Sequence, residues 1–115
     1  MSESGSTRAE AKKGAAELVV LSLLEDQSRH GYELARLIAE RSRGELTFNF
    51  ASLYATLYKL EERGFVQGRW VERAGQRRRR YYRLTPKGRD VLAVQRREWS
   101  RFFGVVRDLA GLSDA

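Results

Sequence analysis

The most constraining feature of this chain is the stretch from Phe65 to Pro86. Two runs of alternating character, Phe65 to Arg73 and Arg79 to Leu84, flank the turn-forming Ala74-Gly75-Gln76. Period-two alternation around a glycine-bearing turn is the pattern of a β-hairpin. In the second run it places Tyr82 and Leu84 on one face and Tyr81 and Arg83 on the other. Gly64, just before the hairpin, stands where a helix would stop. Just after it, Thr85-Pro86 joins an N-cap residue to the one proline of the chain, at the first helical position. The hairpin is therefore held between two helices.

The rest of the pattern is helical. Residues 1–8 are small and polar and are expected to form a disordered tail. From Ala9 an alanine-rich lead-in runs into Leu18-Val-Val-Leu-Ser-Leu-Leu24. The apolar run alone would also suit a strand, and the lead-in favours a first helix buried on most sides in its second half. Glu25 to Ser28 breaks the pattern. A second helix is expected over about 29–42, with Ser28 as its candidate N-cap, Leu34, Leu37 and Ile38 at helical spacing, and Gly44 at its stop. Asn49 is a candidate N-cap for a third helix ending at Gly64. On that helix Leu53, Leu57 and Leu60 form one narrow apolar stripe. Its outer face carries Ala51, Ala55 and Glu62, flanked by Ser52, Tyr58 and Lys59, with Tyr54 at the border.

The last helix runs from Pro86 to about Leu109. Leu92, Trp99 and Val106 recur every seven residues, Gln95, Phe102 and Leu109 fill the complementary positions, and Phe103 widens the stripe. A chain of 115 residues has one domain and a small core, so such a heptad stripe seeks a partner chain. The expected dimer seam is Leu92, Trp99, Phe102, Val106 and Leu109. Gly104 lies mid-helix, at a cost of about 1 kcal/mol against alanine; it either allows close chain approach, leaves room beside Trp99 and Phe103, or is incidental. The fold class is mainly α with a small β-hairpin: a tail over 1–8, a unit of three helices and the hairpin over 9–84 and a C-terminal dimerisation helix over 85–112.

Charge points to the partner. The chain carries 22 basic and 15 acidic residues, a net charge of +7. Residues 63–83 hold eight arginines and one acid, Glu72, which accounts for the whole excess and leaves the remainder neutral. A concentrated excess of this kind suits a polyanion. Four of these arginines, Arg77, Arg78, Arg79 and Arg80, stand at the hairpin tip and the start of its return strand. Glu33 is expected to pair with Arg29 and Arg36. Several functions have nothing to stand on. Cysteine is absent and His30 is the single histidine, so no metal-ligand cluster, cofactor site or catalytic dyad is expected. His30 itself reads as local structure at a helix start. No apolar run approaches a membrane span, and the N-terminus lacks the form of a signal peptide, so a cytoplasmic protein is expected.

Three short helices followed by a hairpin is the order of the winged helix-turn-helix. There the third helix enters the major groove and the hairpin, or wing, grips the backbone. Ala51 and Ala55 would allow close approach to base edges; Ser52, Tyr58 and Lys59 would donate hydrogen bonds. Glu61 and Glu62 should lie away from phosphate, or read a cytosine amino group.

In its motifs the chain resembles the PadR family of bacterial transcriptional regulators. The resemblance is carried by His30-Gly31-Tyr32-Glu33-Leu34, by Ser52-Leu53-Tyr54-Ala55-Thr56-Leu57-Tyr58-Lys59-Leu60-Glu61-Glu62-Arg63-Gly64, by Arg80-Tyr81-Tyr82-Arg83-Leu84-Thr85-Pro86-Lys87-Gly88, and by Glu98-Trp99, and it covers about residues 14–109. It implies a homodimeric regulator of double-stranded DNA, usually a repressor, acting on an inverted-repeat operator and often answering to a small molecule. The single C-terminal helix is similar to the short subgroup that includes regulators of multidrug efflux. By motif position Tyr32, Ser52 and Tyr54 match DNA-contacting residues, and the wing arginines match the family's basic wing. Trp99 matches an aromatic position that lines a flat-ligand pocket in some short members; with Phe103 it is either a platform for a small aromatic effector or plain interface packing. Many members have Pro-Gly where this chain has Phe50-Ala51, so contacts at the helix start are expected to differ. The competing readings are a basic nucleic-acid module without operator specificity, and a helical partner-binding module whose arginines confer solubility only. Trp70 is expected to pack within the hairpin rather than stack on nucleic acid.

Overall fold

Four apolar stripes and one face of the hairpin close on a single core. The computed structural model describes residues 14–113. The expected tail and the helical lead-in at 9–13 lie outside the described residues. Helix α1 covers 14–23; β1 (Arg29–His30), α2 (Gly31–Arg41), α3 (Phe50–Glu62), β2 (Val66–Val71), β3 (Arg79–Leu84) and α4 (Pro86–Ala110) follow. The core gathers Val20 and Leu21 from α1 and Leu24 just after it, Leu34 and Ile38 from α2, and Leu53, Leu57 and Leu60 from α3. Val66, Tyr82 and Leu84 close it from the hairpin side.

Local chemistry sets the helix starts. The side chain of Asn49 accepts from the Ser52 amide at 2.8 Å, and that of Thr85 accepts from the Gly88 amide at 3.0 Å, with Pro86 in the first turn. Replacing either cap by alanine would cost about 1 kcal/mol. The start of α2 differs from expectation. Its N-cap is His30, whose Nδ1 accepts from the Glu33 amide at 3.1 Å, and not Ser28. The displacement has a nonlocal cause: Arg29 and His30 are drawn into an antiparallel pairing with Tyr82 and Tyr81 of β3. The sheet thus has three strands in the order β1-β3-β2, with β3 in the middle.

Arg29 is the one buried charged residue among those described, only 7% exposed. Its Nε donates to the carbonyl of Leu23, at the end of α1, at 2.7 Å, and its Nη1 donates to Glu33 at 3.0 Å. A buried guanidinium needs both partners, since an unpaired one is strongly destabilising. Arg36 turns away from Glu33 and pairs with Glu40 at 3.1 Å, one helical turn further on.

Two close approaches require glycine. A Cβ on Gly88 would drive into the backbone carbonyl of Phe65, so α4 can start against β2 only without one. A Cβ on Gly31 would lie 2.5 Å from the Tyr54 hydroxyl, so α2 gives way to that ring.

Leu92 is corrected. The heptad placed it on the dimer seam, but it is 1% exposed and belongs to the protein's own core. The first turns of α4 cover the hairpin before the helix leaves the body of the molecule. Further along, Arg96 pairs with Glu25 at 2.9 Å and Trp99 lies against Gly14 of α1. Beyond that point the apolar residues are bare: Phe102, Phe103, Val105 and Val106 are exposed, and Leu109 is 85% exposed.

Candidate nucleic-acid interface

The α3 stripe of Leu53, Leu57 and Leu60 is fully buried, which forces the remaining face outward. Ala51, Ser52, Tyr54, Ala55, Tyr58 and Lys59 are all exposed there. At i, i+4 spacing Phe50, Tyr54 and Tyr58 form an aromatic ridge, and Ala51 and Ala55 form a shallow strip beside it. The exposed face of α3 thus offers rings and methyl groups with few charges.

Beside this face lies a cleft of about 550 Å³, walled by His30, Tyr32, Phe50, Tyr54, Trp70 and Tyr82 and by Arg77 to Arg80. The structure therefore brings the expected Tyr32 and Tyr54 together with all four expected wing arginines. Tyr32 stacks on Phe50, centroids 5.9 Å apart with the planes at 17°. Phe50 meets Tyr54 at 6.4 Å. The guanidinium of Arg79 sits 5.8 Å from the Tyr32 ring and that of Arg78 sits 4.7 Å from Trp70. Trp70, expected to pack within the hairpin, meets the Arg78 and Arg80 guanidinium groups of the hairpin, but about half of it is exposed and it lines the cleft.

Arg80, unlike its three neighbours, has an ion-pair partner within the protein. Its Nη2 donates to Glu61 Oε2 at 2.7 Å, and the same oxygen accepts from the Gly68 amide at 3.1 Å. Both side chains are about two-thirds buried. Arg80 therefore ties the wing to α3, whereas Arg77, Arg78 and Arg79 make no ion pair among the described residues. The same contact explains Glu61, whose carboxylate is turned into the wing.

Electrostatics agree with this division. Burial, with the nearby Arg79 guanidinium second, holds the His30 imidazole below its ordinary pKa. His30 is thus neutral at pH 7 and its Nδ1 is available as a cap acceptor. Burial also raises the Tyr82 phenol, so that ring stays protonated above Arg80.

The residues expected on the dimer seam and ligand platform stand apart from the cleft, on α4. Trp99 meets Phe102 edge-on at 6.0 Å and Phe103 at 5.4 Å. A hollow of about 280 Å³ opens beside Glu98, Trp99 and Phe102. Phe103 touches the Trp99 ring from outside that lining. Among the described residues no helix is long and apolar enough to cross a membrane, and no group of His, Asp and Glu could hold a metal ion.

With this geometry in place, comparison with known proteins is decisive. The family model described as "Transcriptional regulator PadR-like family" matches residues 20–94, well over half of the chain. The chain belongs to the PadR-like family of transcriptional regulators. Its members are regulators rather than enzymes. A transcriptional regulator from Clostridium thermocellum is similar at 26% identity and a TM-score of 0.79, over 86% of this chain and 93% of its own. A PadR family regulator from Eggerthella lenta is similar at 26% identity and a TM-score of 0.78, over 97% of this chain and 96% of its own. PadR of Bacillus subtilis, solved in complex with operator DNA, shares the fold at 23% identity and a TM-score of 0.61, over 67% of this chain and 44% of its own.

Sequence reasoning passed over Phe50, His30 and Trp70 as parts of the cleft and Glu61 as the brace. For Phe50 the signal was available: once Asn49 is the cap, Phe50 is the first helical residue and falls in line with Tyr54 and Tyr58.

Proposed function

We propose that this PadR-like regulator is a sequence-specific, homodimeric repressor that binds double-stranded DNA at an inverted-repeat operator. The observation that carries the reading is the pairing of two unlike surfaces in one braced unit. An almost uncharged α3 face is suited to base edges, and a wing with three arginines outside any ion pair among the described residues is suited to phosphate. Ala51, Ser52, Tyr54, Ala55, Tyr58 and Lys59 face the groove. Tyr32 and Arg77, Arg78 and Arg79 hold the flanking backbone, and Arg80 holds the wing in register. The operator complex of the Bacillus subtilis relative supports this reading for a shared fold.

Dimerisation is supported by the bare apolar run of α4. Phe102, Phe103, Val106 and Leu109 form the kind of contiguous patch that monomers rarely leave exposed. Trp99 extends the seam. Two-fold pairing would present two α3 faces and two wings to a palindromic site. In this reading a planar or aromatic effector enters the hollow beside Trp99, with Phe103 supporting the ring, and relieves repression. The protein acts in the cytoplasm, where the chromosome is.

The test is a binding comparison among duplex carrying the protein's own upstream region, scrambled duplex and single-stranded RNA. Tight, salt-sensitive binding to the first alone is expected. Equal affinity for all three would make the protein a general basic nucleic-acid binder and refute the repressor reading.

A further inference from the structure

We infer that Phe50 is a specificity-determining residue that reads the 5-methyl group of a thymine at the operator position facing the start of α3. The inference rests on the operator-binding reading above and adds to it the identity of one base. Three observations support it. Phe50 is the first residue of α3, the end of a recognition helix that meets base edges. It is 48% exposed and outside the core, so filling the core does not account for a large apolar ring at this place. Its ring is nonetheless held in contact with two neighbours, stacked on Tyr32 and tilted against Tyr54.

The chemistry of the groove then selects the base. A phenyl ring neither donates nor accepts a hydrogen bond. Among the groups displayed in the major groove, only the thymine methyl gains by losing water against such a ring. The cytosine amino group and the guanine O6 and N7 would lose hydrogen bonds to water and receive none in return. Ala51, next to Phe50 and exposed, adds only a methyl group at the helix start and so leaves the ring approachable. The arginines across the cleft would hold the flanking phosphates and bring the base edge to the ring. Phe50 thus selects by exclusion as much as by attraction.

The experiment replaces each operator thymine in turn by deoxyuridine, which removes the methyl group alone. Wild-type protein should lose about fourfold in affinity at one position per half-site, the worth of a single buried methyl, and about sixteenfold when both half-sites are changed. Phe50→Ala should bind the thymine and deoxyuridine duplexes equally at that position, and Phe50→Leu should keep part of the difference. Because Phe50 lies outside the core, an unchanged melting temperature checks that the variants are folded. Suppose wild type fails to prefer its upstream duplex over a scrambled one: the operator reading itself falls. If the preference holds but no deoxyuridine weakens binding, or the same penalty persists in Phe50→Ala, only the thymine assignment is overturned. A loss in Phe50→Ala that is equal on operator and scrambled duplex would likewise overturn it, making the ring a non-specific wedge.

Discussion

The wing arginines divide into two kinds, and their removal should be read out differently. Arg77, Arg78 and Arg79 make no ion pair among the described residues, while Arg80 is bonded to Glu61. If each of the first three neutralises one phosphate, replacing all three by alanine should lower the slope of log K against log salt by about 2.7 per wing, or about 5 for a dimer. Between 50 and 200 mM salt, wild type should then lose about 40-fold more affinity per wing than the variant does. The loss should be equal on operator and random duplex, because phosphate contacts carry no sequence. Arg80→Gln should behave otherwise. It should leave the salt slope nearly unchanged and reduce the preference for operator over random duplex, because α3 and the wing would no longer share one geometry. Fluorescence anisotropy at five or six salt concentrations measures both quantities. A slope reduction of about 0.9 per wing in Arg80→Gln would show that Arg80 serves phosphate directly, and the reasoning from the ion pair would be wrong.

Other variants test the fold and the assembly. Leu92→Ala should cost about 2–5 kcal/mol in chemical denaturation, as a buried leucine does, whereas Phe102→Ala should weaken dimerisation in sedimentation; a dimer defect without a stability defect in Leu92→Ala would restore it to the seam. Gly88→Ala should cost about 1–3 kcal/mol through the clash with the Phe65 carbonyl, so an unchanged melting temperature would contradict that close packing. His30 has a depressed pKa in the folded state. Its contribution to stability is present above the unfolded value of about 6.5 and is lost as pH falls through the lower folded value. His30→Asn, which keeps a capping acceptor, should lose less stability between pH 7.5 and 5 than wild type, and identical pH profiles would remove the imidazole from the account.

The parts of the fold that were legible in the sequence are those encoded by neighbours along the chain. Asn49 and Thr85-Pro86 carry their helix starts in three or four residues, and the hairpin carries its period in six. Strand β1 was not legible, because two residues have no period and Arg29 and His30 become a strand only by meeting Tyr82 and Tyr81. Leu92 was misplaced for a related reason: a heptad reports which residues share a stripe, not what lies opposite them. In the candidate site the exposed face of α3 could be read from its wheel. The bond from Arg80 to Glu61 could not, since the partners are 19 residues apart and each looks like an ordinary surface charge.

That bond also bears on how such a protein can change its target. The atoms that hold α3 against the wing, Glu61 and Arg80, are partly buried, and the exposed residues proposed to meet the bases, Ala51, Ser52 and Ala55 among them, take no part in the join. Substitutions at the outer positions can therefore accumulate without loosening the grip. If the proposed reading holds, a lineage, or a designer, can rewrite the address by changing that outer face while the handle stays the same.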